Sequence, residues 1–395
     1  MEQPATPPRS SSEDRRVERC PVLARASLSG GILAETGAAI RVDDSDLAPT
    51  LWFPRTDVLP ALSSVDADLW SPGTADFADY IAFDADRVLL ELVDGRDGDD
   101  PRDVTIKRHP TWGDAADLIR VLDVQPIGDG RYASAVRIDH VRPVVEGSQM
   151  LGQAIVAAGR HAPGRRVVSA TMVFVRAADA RVPLRFDLDE VSNGRTMTTV
   201  GVRVTQGERV CATGMLLLST TAPDVVRHSV QAPAISGPYE SVPFDMGVTG
   251  RDLRFVDDAY TGDPDAPIGP PMIDAWVRFR EVPNDGCIHA ALLAQFSGHV
   301  PIAAALRPHR GIGQDQAHRT LSTAINAISL SIHRDVRADE WMLYHHVSTF
   351  AGDGMTHAEC RVHDEKGHLL ASFTVEAMVR AFEDSTAVVD HRTAL

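Results

Sequence analysis

The residues best placed to do chemistry lie in one stretch, Cys287–His309, where an apolar run gives way to a small polar triplet. Ile288, Ala291, Leu292 and the pair Gln295–Phe296 keep the three-to-four spacing of a buried helix face. Ser297-Gly298-His299 then interrupts the run, and Pro301 marks its expected end. A buried helix broken by small polar residues can bring a backbone N–H or an imidazole to a ligand. The plainer alternative is a kinked core helix whose histidine bonds to backbone. A second stretch, Glu146-Gly147-Ser148-Gln149, opens another apolar helix. Its first-turn N–H groups have no intrahelical acceptor and can serve as an oxyanion site; alternatively, Glu146 only complements the helix dipole. Arg165–Arg166 and the cluster Arg307, His309 and Arg310 are the basic groups able to meet a phosphate, unless they are simply solvated surface.

Other constellations are missing. The sequence has no phosphate-loop, zincin or serine-hydrolase motif. His345, His346, His357 and His363 fall on adjacent strand-like runs, but neighbours on one strand point to opposite faces, so no metal site is expected. Cysteines at 20, 211, 287 and 360 are too scattered for a zinc knuckle or a redox pair and read as free thiols in a reducing compartment. A net charge of −16 argues against a phosphate-backbone binder, so no nucleic-acid partner is expected. With no run of eighteen apolar residues and no apolar signal core, a cytoplasmic chain without a membrane partner is expected.

The elements that must position these groups occur twice. An apolar helix, Gln149 to Gly159, precedes strand-like runs Val167 to Val175, Pro183 to Val191, Thr196 to Val204 and Arg209 to Ser219. The helix near 290 precedes runs Leu321 to Ser331, Trp341 to Phe350, Met355 to Val362 and Leu369 to Arg380. The turn pairs Asn193-Gly194 with Asp353-Gly354 and Gln206-Gly207 with Lys366-Gly367 are each 160 residues apart, which points to an internal duplication. The expected class is α+β, with two helix-wrapped antiparallel sheets in tandem behind a small β-rich domain. The boundaries read as a disordered leader over 1–17, the β-rich domain over 18–98, a first unit over 105–222, a Pro-rich surface crossover over 223–271, and a second unit over 272–385. The last ten residues read as a loose tail.

Residues 20–95 resemble a small β-rich family of unknown function, sometimes labelled nucleotidyltransferase-like, through Gly31-Ile-Leu-Ala-Glu-Thr, Trp52-Phe-Pro-Arg-Thr-Asp-Val58 and Tyr80-Ile-Ala-Phe-Asp-Ala-Asp-Arg-Val88. The family's Cys-x-x-Lys-Gly segment is missing between Ser63 and Pro72, and no catalysis is assigned here. Residues 112–382 are similar to the acyl-CoA thioesterase II family, whose members carry two hotdog folds on one chain. The resemblance rests on Leu122-Asp-Val-Gln-Pro-Ile, Glu146-Gly-Ser-Gln-Met-Leu-Gly-Gln-Ala, Ala305-Leu-Arg-Pro-His309, Ala338-Asp-Glu-Trp-Met-Leu-Tyr344 and Leu370-Ala-Ser-Phe-Thr-Val-Glu376. It implies an acyl-CoA or carrier-bound acyl substrate, no cofactor, and further assembly as a homo-oligomer. The family holds its attacking water with an Asp, a hydroxyl residue and a Gln; the matching positions here are Gly298, Ile325 and Val375.

None of those three side chains can activate water. What can replace them is His299 as base, Asn326 beside Ile325 as an orienting amide, and the Glu146–Gln149 helix start as the oxyanion site. For Asn326 the alternative is a bulge or edge amide. Three functions are compatible with this pattern: a thioester hydrolase with a rearranged site, a dehydratase, isomerase or cyclase on a thioester-bound acyl chain, and a non-catalytic acyl-ligand-binding protein.

Overall fold

The computed structural model describes residues 16–43, 49–58, 67–73, 77–95, 104–109, 113–136, 144–244, 246–257, 260, 267–318 and 320–382. Of the leader expected over 1–17, residues 1–15 lie outside these while 16 and 17 open the strand Arg16–Arg19; the tail expected over the last ten residues also lies outside. The chain divides into two compact units.

The first unit is two antiparallel sheets around one core. One sheet orders its strands Arg16–Arg19, Ile40–Asp43, Thr50–Pro54, Tyr80–Phe83 and Trp70–Pro72; the other orders Gly31–Thr36, Leu23–Leu28, Leu89–Asp94 and Thr105–Arg108. Buried and part-exposed residues alternate along Leu23–Leu28, Thr50–Pro54 and Leu89–Asp94, as half-buried strands require. Ala26, Phe53, Phe83 and Leu90 meet in the core between them. Ser29 and Gly30 both adopt positive φ (50° and 83°), the geometry that closes a two-residue hairpin. Because Thr105–Arg108 pairs with Leu89–Asp94, this unit runs to Asp114, past the boundary read at 98. The described part of Asp245–Gly250 also belongs to it. Gly113–Asp114 pairs in parallel with Val248–Thr249, buried Lys107 donates to the Val248 carbonyl, and Asp94 accepts from the Gly250 N–H at 2.6 Å. Lys107 and Asp94 are themselves 3.8 Å apart with 2% of each side chain exposed.

The second unit holds one continuous antiparallel sheet of 13 described strands and the helices α1 (Ala115–Leu122), α2 (Gly147–His161), α3 (Gly286–Phe296) and α4 (Pro301–Leu306). Its two halves repeat. Arg185–Asn193, Met197–Gln206, Arg209–Ser219 and Arg166–Phe174 lead to the join, and Leu321–Ile332, Leu369–Ala381, Met355–Asp364 and Met342–Gly352 lead away from it in matching order. The join is edge to edge: Ser169 to Val173 pairs with Ser331 to Ala327. Pairing these edges leaves neither half with an open strand there.

The 160-residue offset holds between the starts of Arg209–Ser219 and Leu369–Ala381 and for the positive-φ glycines Gly207 and Gly367, and the earlier strand pairs start slightly closer together. It fails at one turn. Asp353 and Gly354 are both at positive φ in a two-residue turn, whereas Asn193 and Gly194 are not, and Gly194 N–H bonds the Met197 carbonyl across a longer loop. The crossover is also less superficial than its prolines imply, because Arg251–Phe255 is a sheet strand with all five residues buried.

Both central helices are apolar on nearly every side, the signature of a core helix. Gly286–Leu306 is long and apolar enough to cross a membrane by composition, yet its most apolar window is 78% buried within the fold and it is not one helix. α3 ends at Phe296, and Pro301, expected as a terminator, instead starts α4 at the position where its missing N–H costs nothing. α2 and α3 approach closely through glycines. A Cβ on Gly152 would sit 2.8 Å from the Ala291 carbonyl oxygen, and one on Gly159 would sit 2.4 Å from Cys287 Sγ.

Candidate active site

The start of α2 and the end of α3 meet in the second unit. Asp285 caps α3, accepting from the Cys287 N–H at 2.8 Å, and His289 Nδ1 accepts from the Ala338 N–H at 3.0 Å. Tyr344 donates its hydroxyl to the Leu293 carbonyl at 3.0 Å. With the helix so held, its last turn has a fixed address. Ser297 turns its hydroxyl back onto the Ala294 carbonyl, and the His299 N–H bonds the Phe296 carbonyl at 3.1 Å. The His299 ring stacks on Phe296 with centroids 5.0 Å apart, and 9% of its side chain is exposed.

Glu146 sits at the N-cap of α2 but does not cap its own helix. Its carboxylate reaches α3 instead. Glu146 Oε2 accepts from Gln295 Nε2 at 3.0 Å and lies 3.8 Å from His299 Nε2. A third of the Glu146 side chain is exposed while Gln295 is fully buried, so the cluster opens to solvent at the carboxylate and closes at the amide. The helix dipole and the first-turn N–H groups of α2 make this a favourable place for negative charge. The Phe174 ring packs against Gly147 and walls that turn.

Gly298 faces the same helix start. A Cβ there would lie 2.7 Å from Ser148 Oγ and 3.0 Å from Ser148 Cβ, with Ile325 Cγ1 at 4.0 Å. Two of the three positions to which the resemblance assigns water-holding residues, 298 and 325, are thus neighbours. Val375 is a core residue paired with Ile328. Asn326 is the extra residue of a bulge between Ile325 and Ala327, and its Oδ1 is buried without a hydrogen-bond partner.

The structure therefore brings Glu146 and His299 together. Gln149 is buried on the first turn of α2, next to Ser148, and Asn326 is next to Ile325. The basic cluster lies apart, at the end of α4. Arg307 donates to the Met272 carbonyl and lies flush against Gly269, His309 Nδ1 is 3.3 Å from the Leu306 carbonyl, and Arg310 is exposed. Gln295 was not singled out from the sequence: an amide inside Ala-Leu-Leu-Ala-Gln-Phe fits the burial spacing, and its polarity was the available signal.

Among the histidines, His346 is inside the second half of the sheet, stacked with Tyr344 at 6.0 Å. Burial pushes it down to about 3, with His345 adding to the shift and the Tyr344 and Ile273 backbone opposing it weakly. His345 is on the other face, its Nδ1 2.7 Å from Asp274. That outer face also carries a cavity of about 320 Å³ under residues 232–240, lined by Trp276, Leu343 and Tyr239 with Glu240 and Asp364. It lies across the sheet from the helix junction and is not part of that site.

Comparison with known proteins places the fold that carries this arrangement. Residues 124–219 match the family model described as the acyl-CoA thioesterase N-terminal domain, and residues 230–379 match that of the C-terminal domain. Acyl-coenzyme A thioesterase 8 of Mus musculus is 23% identical over 294 residues, covering 66% of this chain and 88% of the mouse protein. Acyl-CoA thioesterase 2 of Haemophilus influenzae is 24% identical over 287 residues, covering 67% of this chain and 98% of that protein. Among solved structures, acyl-CoA thioesterase II from Mycobacterium marinum matches with a TM-score of 0.57 at 24% identity, over 67% of this chain and 98% of the other. A hot dog fold protein from Alicyclobacillus acidocaldarius matches with a TM-score of 0.55 at 15% identity, over 67% and 98%.

Proposed function

The chain belongs to the acyl-CoA thioesterase family, matching both its N-terminal and its C-terminal domain, and from that premise we propose that it hydrolyses an acyl-CoA or carrier-bound thioester through Glu146 and His299. The observation that carries this is the placement of the Glu146 carboxylate, at a helix N-terminus and within 3.8 Å of an imidazole. Water attacks the thioester carbonyl, and its proton passes to the His299–Glu146 pair. The first-turn N–H groups of α2 receive the oxyanion. The C–S bond then breaks, and the thiolate takes the proton back from the pair. Gly298, Ile325 and Val375 contribute shape rather than acid–base chemistry. In this diverged site Asn326 and Gln149 line the approach to the pair, and Arg310 with His309 offers charge to the phosphates of the carrier.

The experiment is thiol release from a panel of acyl-CoA chain lengths. Turnover that His299→Ala lowers by about 10² or more, with the fold intact, is expected. An alanine variant as active as the parent removes His299 from the mechanism.

A further inference from the structure

We propose that Gln295 orients the attacking water, one side of its amide fixing Glu146 and the other accepting a hydrogen bond from that water. This rests on the hydrolase reading above for the word attacking; the water's position rests on geometry alone.

The amide is fully buried, and its Nε2 donates to Glu146 Oε2 at 3.0 Å. A carboxylate accepts and does not donate when ionised, so the amide cannot be turned the other way without setting two acceptors against each other. Its oxygen is therefore committed to the opposite direction, where Gln295 Oε1 has no hydrogen-bond partner. A buried amide oxygen left so is costly unless a donor reaches it. Covalent geometry puts that oxygen about 2.3 Å from its own nitrogen. It follows from the 3.0 Å bond that Oε1 is within about 5.3 Å of Glu146 Oε2. One water donating two hydrogen bonds of about 2.8 Å at its own bond angle spans about 4.4 Å between acceptors, inside that bound.

His299 supplies the third side. Its Nε2 is 3.8 Å from Glu146 Oε2, too long for a direct hydrogen bond and suited to a bridging molecule. A water lodged here directs one hydrogen to Gln295 Oε1 and the other to the Glu146–His299 pair, leaving an oxygen lone pair for the thioester carbonyl. One proton then leaves to the pair as the C–O bond forms and the C–S bond breaks. Gln295 neither gives nor takes a proton; it is a positioning residue. Glu146 from α2 bonds its amide, and His299 beyond the end of α3 lies 3.8 Å from that same carboxylate.

The test uses the full chain. A crystal structure resolving ordered solvent is expected to show a water within 3.2 Å of Gln295 Oε1 that also contacts Glu146 or His299. Kinetics on the best acyl-CoA of the panel supply the second arm. Gln295→Met is expected to lower kcat by about 10² with KM unchanged within about twofold, since ground-state binding does not use the water. Gln295→Glu keeps the shape, and its protonated form restores both a donor to Glu146 and an acceptor. Its kcat is expected to recover on the acid side, which a merely structural residue would not produce and which decides the matter if Gln295→Met does not fold. No water at Oε1, or a parental kcat in Gln295→Met, overturns the proposal. A water in place with no hydrolysis of any thioester overturns the hydrolase reading instead and leaves the water site standing.

Discussion

Gly298→Ala, made alone and together with Ser148→Gly, measures how tightly the helix junction is closed. The new Cβ would stand 2.7 Å from Ser148 Oγ and 3.0 Å from Ser148 Cβ. Ordinary contacts begin near 3.4 Å, so the turn after α3 and the start of α2 must separate by several tenths of an ångström, an overpacking cost of about 1–3 kcal/mol. Gly298 is not at positive φ, so Ala is compatible with its backbone and gains about 0.4–1 kcal/mol by restricting the unfolded chain. The single variant is therefore expected to lose up to about 2.5 kcal/mol. Ser148→Gly removes both offending atoms, and the nearest one left is Ile325 Cγ1 at 4.0 Å. In that background Gly298→Ala should be neutral or stabilising, giving a coupling of about 1–3 kcal/mol against the ~0.5 kcal/mol scatter of independent sites. Native-state hydrogen exchange across Gly147–His161 reads the opening free energy of α2 in all four proteins. Additive effects within about 0.5 kcal/mol would show that Ser148 and Gly298 are not in contact. The cycle also bears on function, because an acidic side chain at 298 meets the same wall.

Three further outcomes follow from burial. His346 stays neutral in the fold down to about 3, while in the unfolded chain it binds a proton near 6.5. Its contribution is thus complete above pH 6.5 and declines by about 1.4 kcal/mol per unit as pH falls towards 3; His346→Phe should flatten the acid limb of stability against pH, and an unchanged slope would contradict the burial. Lys107→Met removes a buried cation 3.8 Å from the Asp94 carboxylate and should destabilise the first unit by up to about 3–5 kcal/mol, read as faster exchange over 104–109 and 246–250, whereas protection at the parental level would count against the staple. Gly152→Val sets a branched side chain against the Ala291 backbone carbonyl and should lower the melting temperature of the second unit by several degrees; a melting curve like the parent's would mean the helices are not so close.

The repeat was legible because strand length and turn chemistry are local. Arg209–Ser219 begins and ends where its residue pattern places it, and Asp353-Gly354 closes its hairpin as that dipeptide should. Pairing partners distant in sequence were not legible. Arg251–Phe255 sits among prolines and charges, yet it is a buried strand because Met272–Phe279 and Val242–Pro243 flank it. Thr105–Arg108 joins the first unit for the same kind of reason. In the site, His299 and Glu146 were visible as residue types at helix ends, but their approach depends on how α2 crosses α3. That crossing depends on Gly152 and Gly159, whose small size carries no polar signal. Gln295 was hidden by its setting, since an amide in an apolar run keeps the spacing of a core helix.

The account turns on whether the Glu146–His299 pair handles the proton. Thiol release from acyl-CoA should be compared for the parent, Glu146→Gln and His299→Gln, each checked for an unchanged fold. With Gly298, Ile325 and Val375 at the positions to which the resemblance assigns water-holding residues, the proposed mechanism has the parent turn over simple fatty acyl-CoA well below the ~10 s⁻¹ of a typical enzyme. Each variant should fall by a further ~10² in kcat while still binding substrate. Palmitoyl-CoA hydrolysis near 10 s⁻¹ that survives both substitutions would contradict the account.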